Sequence, residues 1–416
     1  MTSILTSEKL NVFEDPAFDY SLLSLHEHTY KPYGSPTYGN SDEIRITINF
    51  QDLILDIAGS YIYIEGKFIA NDVSKTCYLS NNCLAFLFDE IRYEMGGDQV
   101  CIVRKPGITT TLKNLVSLNP LQNKSLLTMG WGLNNDCQVI LDKTSHVFSG
   151  KLPLKYLLGF AEDYSKGILN VKQELILVLS RTFQNCYVGE TEATINLNKI
   201  EWKVRHIVPE DHQKLKLLSR LNKGGNNSQV NIAYRKWDLY ELPVLRETTA
   251  DVWALKTSNS LEKPRQIIIG FMPSENLDNY VKNATEFISA GIRDIRVYLN
   301  NNVYPYERWN LDFNKKLIGS AYYTYEDFQR TYYNRDIATP LMDIEQFILN
   351  PIFVIDSSYQ ADNNIKNSTV DIKIEFESQT KFSKNIKVFA LILHDAFLSY
   401  NALDGSVRTG YNFSCR

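Results

Sequence analysis

Apolar and polar residues alternate along most of this chain with period two. Ile44, Ile46, Ile48 and Phe50 alternate with Arg45, Thr47 and Asn49, which predicts a half-buried strand, because successive side chains of an extended backbone point to opposite faces. Tyr61–Ala70, Val171–Ser180 and Glu192–Val208 read as further strands. The last shifts phase at Asn198-Lys199, which predicts a bulge or bend. Gln138–Leu141 and Ser145–Phe160 add strand or short helical material. The stretch from Cys83 to Lys113 is the most legible. Ile91-Arg92-Tyr93-Glu94-Met95 leads into a Gly96-Gly97 turn and back through Val100, and Gly-Gly suits a tight turn that needs positive φ. After Pro106-Gly107 the spacing becomes helical at Ile108, Leu112, Leu115 and Val116.

Pro209 breaks the strand pattern, and Glu210–Leu221 predicts a helix. Its acids come first and its bases later, as the helix dipole favours, with Leu215, Leu218 and Leu221 on one side. Lys223-Gly224-Gly225-Asn226-Asn227-Ser228 ends it and marks the main boundary. The second half then repeats the order. Val230–Leu245, Asp251–Lys256 and Arg265–Phe271 read as strands. Ile295-Arg296-Val297-Tyr298-Leu299, a turn at Asn300-Asn301-Asn302, and Val303 echo the Ile91-Arg92 pair about two hundred residues on, each pair preceded by an acid, Glu90 or Asp294. A helix with Tyr325, Phe328 and Tyr332 on one face follows, then a helical turn at Leu341, Ile344 and Phe347. Ile352–Ile355, Val370–Glu377 and Lys387–Leu393 are the last strands. Val171–Ser180 aligns with Val370–Glu377, and Glu192–Val208 with Asn385–Tyr400. Many short strands with few helices predict a sandwich or jelly roll, present twice. The resulting division is an irregular arm over 1–43, a first β domain over 44–209, a linking helix and loop over 210–228, a second β domain over 229–400 and a polar tail over 401–416.

Composition narrows the function classes. The chain has 416 residues and a formal net charge of −4 without a block of one sign, so it carries no basic footprint for nucleic acid. No apolar run reaches membrane-spanning length, and the first twenty residues lack the basic start and apolar core of a signal peptide. The Asn-x-Ser/Thr sites at Asn123, Asn226, Asn283, Asn367 and Asn412 are then expected to stay unmodified. The cysteines at 77, 83, 101, 137, 186 and 415 form no Cys-x-x-Cys and are expected to be free thiols.

Candidate chemistry is sparse. No phosphate loop, dinucleotide fingerprint, His-Glu-x-x-His or nucleophile elbow occurs. His26-Glu27-His28 places two imidazoles on one side of an extended segment but lacks a third ligand in sequence. His206 and His212 flank the boundary helix and are expected to be surface or hydrogen-bonded residues. His394-Asp395 would need a nucleophile that nothing nominates. Glu14-Asp15, Asp89-Glu90 and Glu210-Asp211 are carboxylate pairs whose spatial separation a sequence does not give. Lys9, Arg45, Lys67, Arg104 and Lys105 are scattered. Tyr322-Tyr323-Thr324-Tyr325 and Tyr332-Tyr333 fit core and interface, since Tyr buries a large ring while keeping a polar tip. No catalytic, cofactor-binding or metal residue is nominated, and no cofactor is expected.

The words LFDEIRYEMGGDQV at 87–100 and RKPGITTTLKNLVS at 104–117 resemble the double jelly-roll major capsid proteins of Polinton/Maverick elements, adintoviruses and related genome-encoded proteins of insects and cnidarians. The resemblance covers most of residues 40–400. It implies an all-β fold of two tandem eight-stranded jelly rolls joined by a short helix. It implies a non-enzymatic structural protein whose partner is itself: a pseudo-hexameric homotrimer that tiles an icosahedral shell beside neighbouring capsomers and a penton protein. It places the chain in a virion, without membrane insertion. Few insertions are expected above the sandwiches, because the chain is shorter than many such proteins. The alternative is a ligand- or carbohydrate-binding β-sandwich that builds no shell.

Overall fold

The computed structural model describes residues 22–34, 37–49, 54–132, 140–141, 145–222, 228–255, 264–358 and 370–410. Sixteen principal strands build two sandwiches. The first holds β1 (Leu22–Tyr30), β2 (Glu43–Ile48), β3 (Ile54–Ala70), β4 (Phe88–Met95), β5 (Asp98–Arg104), β6 (Val147–Pro153), β7 (Gln173–Leu179) and β8 (Ala193–Pro209). The second holds β9 (Gln229–Leu242), β10 (Ala250–Leu255), β11 (Pro264–Pro273), β12 (Ile292–Leu299), β13 (Asn302–Tyr304), β14 (Phe353–Asp356), β15 (Ile372–Ser378) and β16 (Ile386–Asn401). One sheet of the first sandwich runs β1-β8-β3-β6 and the other β2-β7-β4-β5. The second sandwich repeats both orders, as β9-β16-β11-β14 and β10-β15-β12-β13. Every principal pairing is antiparallel, so each unit is a complete eight-stranded jelly roll. The two Ile-Arg segments occupy β4 and β12, the fourth strand of each copy.

The alternation dictates the packing. Ile62, Ile64 and Phe68 of β3 face inward, while Tyr61, Tyr63, Glu65 and Lys67 face outward. The long eighth strands, β8 and β16, bind the sheets at both ends. The bulge expected at Asn198-Lys199 is present as a register shift between Leu197 and Lys199.

Two stretches differ from the sequence reading. Residues 1–43 read as irregular, yet Leu22–Tyr30 is β1, paired with β8 from Leu22↔Pro209 to Tyr30↔Trp202. The first jelly roll therefore takes its first strand from the stretch assigned to the arm. The segment hid because β1 is exposed along most of its length. Its own pattern sorts no buried face, and its partner strand holds it. Residues 1–21 lie outside the described residues. The 401–416 stretch read as a tail, but Val407–Thr409 pairs with β16; residues 411–416 lie outside the described part, as do Asn226, Asn367, Asn412, Cys137 and Cys415.

Among the helices that connect the strands are α1 (Pro106–Ser117), α2 (Gly159–Asp163), α3 (Asp211–Asn222), α4 (Gly319–Tyr333) and α5 (Ile344–Leu349). Helix α3 is the expected link. Glu210 accepts hydrogen bonds from the His212 and Gln213 N–H groups at its start. Leu215 and Leu218 do not sit on a core, however, since Leu215 is 64% exposed. The helix bridges the two sandwiches rather than packing between them.

Candidate functional site

The most elaborate polar arrangement is the seam between the two jelly rolls, and α1 lies at its centre. Pro106 occupies the first turn, where its missing N–H has no intrahelical partner to lose. Thr110 and Thr111 donate their hydroxyls to the carbonyls of Pro106 and Gly107 at 2.6 Å each. Gly107 is required by close packing, because a Cβ there would fall 2.2 Å from the Phe86 ring. The whole of α1 is buried. The first sandwich covers one side, and β11 and β16 of the second cover the other. Gly270 of β11 leaves room for this approach, since a Cβ there would fall 2.6 Å from the Phe287 ring and 3.0 Å from Leu112.

Lys113 is the one charged residue of α1, and its side chain is 2% exposed. Its Nζ donates to Glu162 Oε1 at 3.1 Å and to Tyr333 OH at 3.0 Å. It lies 4.7 Å from the Trp237 ring centre and 4.4 Å from that of Tyr332. Tyr332 and Tyr333 donate their hydroxyls to Glu162, each at 2.6 Å. Burial pulls the Lys113 ammonium below its ordinary range, while Glu162 works in the opposite direction. Burial pushes the Glu162 carboxyl up, but the Lys113 charge and the two phenols outweigh it and hold it below the usual carboxylate range. Each charge of the pair has oriented partners.

The next residue extends the device. Asp163 accepts the Arg235 backbone N–H at 2.8 Å and its Nε at 2.9 Å, and also pairs with Nη2. The Arg235 guanidinium lies 3.5 Å from the centre of the Tyr332 ring. Adjacent carboxylates on α2 thus engage Lys113 from the first sandwich and Arg235 from the second. The fit is tight, since a Cβ on Gly159 would fall 1.8 Å from the Arg235 carbonyl oxygen. Tyr234 OH donates to Val100 O at 2.9 Å, Tyr325 OH to Leu115 O at 2.8 Å, and Lys105 pairs with Glu241. The Gly96-Gly97 turn rests against Gly405 and Val407, leaving no space for a Cβ at Gly96. Lys113, Glu162, Asp163 and Arg235 are each partnered by a group already in place, so the arrangement fastens two bodies.

The nominated histidines are placed differently. His26 stands opposite His206 across the β1–β8 ladder. The His28 ring stacks on His206 with centres 3.9 Å apart, and Tyr30 OH lies 2.8 Å from His206 Nε2. A third imidazole thus joins the His-Glu-His segment, yet stacked rings do not converge their nitrogens. Among the described residues no group of three His, Cys, Asp or Glu side chains has metal-holding geometry. Burial, followed by His28 and His26, pulls His206 down to about 4. His212 is exposed on α3. His394 is buried with Nε2 3.3 Å from Asp238, whereas Asp395 pairs with Arg265. The two are consecutive strand residues and form no dyad.

Arg92 and Arg296 take equivalent places. Arg92 pairs with Glu90 at 2.8 Å and Glu43 at 3.0 Å. Arg296 pairs with Glu375 at 3.3 Å and Asp294 at 3.9 Å. Sequence reasoning passed over Lys113, Glu162, Asp163 and Arg235. A usable signal was a single charge in an otherwise uncharged helix, Lys113 within PGITTTLKNLVS.

Solved structures share this architecture. VP54 of PBCV-1 matches with TM-score 0.57 and 12% identity over 96% of this chain and 100% of that one. The Faustovirus major capsid protein matches with TM-score 0.59 and 8% identity over 94% of each chain. The mavirus major capsid protein matches with TM-score 0.56 and 9% identity over 97% of this chain and 93% of that one. Among curated proteins none matches. Residues 77–398 match the profile of the double jelly roll-like domain, and the chain belongs to that family.

Proposed function

We propose that this chain is a structural shell protein, similar in role to a major capsid protein. In this reading it forms homotrimeric, pseudo-hexameric capsomers that tile an icosahedral shell or a derived particle. The observation that carries it is the pair of complete jelly rolls fastened by a saturated seam. Such a chain is two wedges at a fixed angle, and rigid wedges with a repeated side can close a ring. The solved relatives' names as capsid proteins support it. A separate penton protein fills the vertices. The chain acts without a cofactor and catalyses nothing.

The ligand-binding alternative draws no support from the cavity of about 520 Å³ between the sandwiches. Its one ring, Phe287, is buried, so sugars have no face to stack on. Light scattering coupled to size exclusion, then negative-stain microscopy, tests the proposal. Trimers that build particles are expected. A chain that stays monomeric at high concentration overturns it.

A further inference from the structure

Four connections between strands meet at one end of the junction, two from each copy. Asn81 comes from the β3–β4 connection and Leu115 from α1, between β5 and β6. Phe287 comes from the β11–β12 connection, and Gln346 and Asn350 from α5 and its end, between β13 and β14. Together they line the cavity of about 520 Å³, so it exists only where both copies are present. Its volume falls in the range of ligand sites, roughly 300–1,000 Å³.

Three carboxamides in this lining are half satisfied in the same way. Asn81 Oδ1 accepts the Gly132 N–H at 2.9 Å, Asn350 Oδ1 the Phe287 N–H at 2.8 Å, and Gln346 Oε1 the Asp343 N–H at 3.1 Å. A backbone donor on the oxygen fixes which way each amide is turned, and the nitrogen is left with two hydrogens to donate. None of the three NH2 groups has an acceptor among the described residues. Asn81 is 7% exposed, so its NH2 group can be met only from the cavity. Acceptors stand on the same lining, in the exposed Glu275 and Glu286, with Lys282 beside Glu275. Leu115, Phe287 and Met342 are its buried apolar part, and Leu349 is apolar yet 79% exposed.

We propose that this cavity seats an extended peptide segment of another protein. Main-chain carbonyls accept from the NH2 groups, main-chain N–H groups donate to Glu275 and Glu286, and an apolar side chain covers Leu349. A peptide offers acceptors, donors and apolar groups together, as this lining requires. A sugar finds no ring face here, and a simple anion meets two carboxylates. The start of this chain enters elsewhere: Asn81 follows β3, whose Ala70 pairs with Ala193 at the start of β8, whereas Leu22 pairs with Pro209 at its end. A shell protein with such a site recruits a partner through one chain, so the site and the assembly reading stand or fall separately.

The test is selection of phage-displayed random peptides on the full-length chain, followed by fluorescence anisotropy with the selected peptides. Asn350→Asp and Gln346→Glu each keep the oxygen that accepts the backbone N–H and replace the NH2 donor with an acceptor. Each variant is expected to keep its circular dichroism melt and to lose about tenfold in affinity. Leu349→Ser is expected to weaken binding without touching any hydrogen bond. Failure to select any peptide overturns the proposal, as does equal binding to the unmodified chain and to both carboxylate variants. A synthetic peptide of residues 1–21 that binds at this site also overturns it, because the occupant is then this chain's own segment.

Discussion

The β1-β8-β3-β6 and β9-β16-β11-β14 sheets have the same strand order and different surroundings. In the first, β3 and β8 alternate between buried and solvent-facing residues along most of their length. In the second, Ile267, Ile268, Ile269, Phe271 and Met272 of β11 are all buried, as is Val388–Leu393 of β16. An antiparallel sheet with one wet face reads as alternation, and one covered on both faces reads as a continuous apolar run. One topology thus carries two sequence signatures, and the difference records which copy is covered within the chain. RQIIIGF and FALIL are covered strands, whereas YIYIEGKF is an open one.

The strongest way to break this asymmetry is to unfasten the seam. Removing one partner of a buried ion pair leaves the other charge stranded, which costs about 3–5 kcal/mol. Glu162→Ala is therefore expected to destabilise the chain by roughly that amount in urea unfolding, and to split one transition into two as the jelly rolls uncouple. Lys113→Met combined with Glu162→Gln should recover most of the loss, because no charge is then left unpaired. A single unfolding transition with a shift below about 1 kcal/mol for Glu162→Ala would show that the apolar contacts alone fasten the seam.

Gly159→Ala probes the same place through volume. The added methyl collides with the Arg235 carbonyl, and overpacking of this kind typically costs about 1–3 kcal/mol. Thermal melts should show the loss. Gly319→Ala is the control, because nothing lies within 4 Å of where its Cβ would stand. Equal effects at the two positions would remove the case for a tight seam.

The fold was legible because it is repetitive. Period-two alternation, the Gly96-Gly97 hairpin and the two Ile-Arg segments all fell on strands of the expected type. Strand β1 was not legible, because Leu-Leu-Ser-Leu-His-Glu-His lacks a buried stripe of its own. The seam was not legible either. Its four charges stand at 113, 162, 163 and 235, and only the folded chain places them in reach of one another. Tyr332 is buried as expected, but nothing local showed that the Tyr332 and Tyr333 hydroxyls face Glu162.

Acid sharpens the contrast between the two first strands, since β1 and β8 bring three imidazoles together, whereas β9 has no histidine of its own and meets one, His394 of β16, beside Asp238. His206 is held down to about 4 in the folded chain, against 6.5 ordinarily. Between those values the unfolded chain binds the proton and the folded chain does not. Stability from this residue is therefore complete above pH 6.5, declines as pH falls, and levels off below pH 4. Hydrogen exchange followed from pH 7 to pH 4.5 should show the β1–β8 amides losing protection before those of β9–β16. His206→Phe should flatten that response, and an unchanged profile in the variant would assign it to another group.

The smallest effects are expected at the segment that first revealed the duplication. Arg92 and Arg296 sit on the outer faces of equivalent strands, with side chains 24% and 18% exposed. Partly solvated ion pairs contribute about 0.2–1 kcal/mol each. Arg296 also lies 4.0 Å from Glu377, and Glu377 and Asp294 are shared with Arg308. Arg296→Ala therefore leaves Glu377 and Asp294 with a cation, and Glu375 with the Tyr298 hydroxyl. In the first copy, Glu43 keeps Arg45 at 2.8 Å, but Glu90 keeps only Arg104 at 3.8 Å. Arg92→Ala should accordingly be the costlier of two small losses, within about 1 kcal/mol by urea titration. The reverse order would mean that the lower exposure of Arg296 outweighs the redundancy of its neighbours. Either order requires that the matched arginines stabilise two copies of one strand through different sets of acids, which is how a duplicated scaffold diverges without changing its fold.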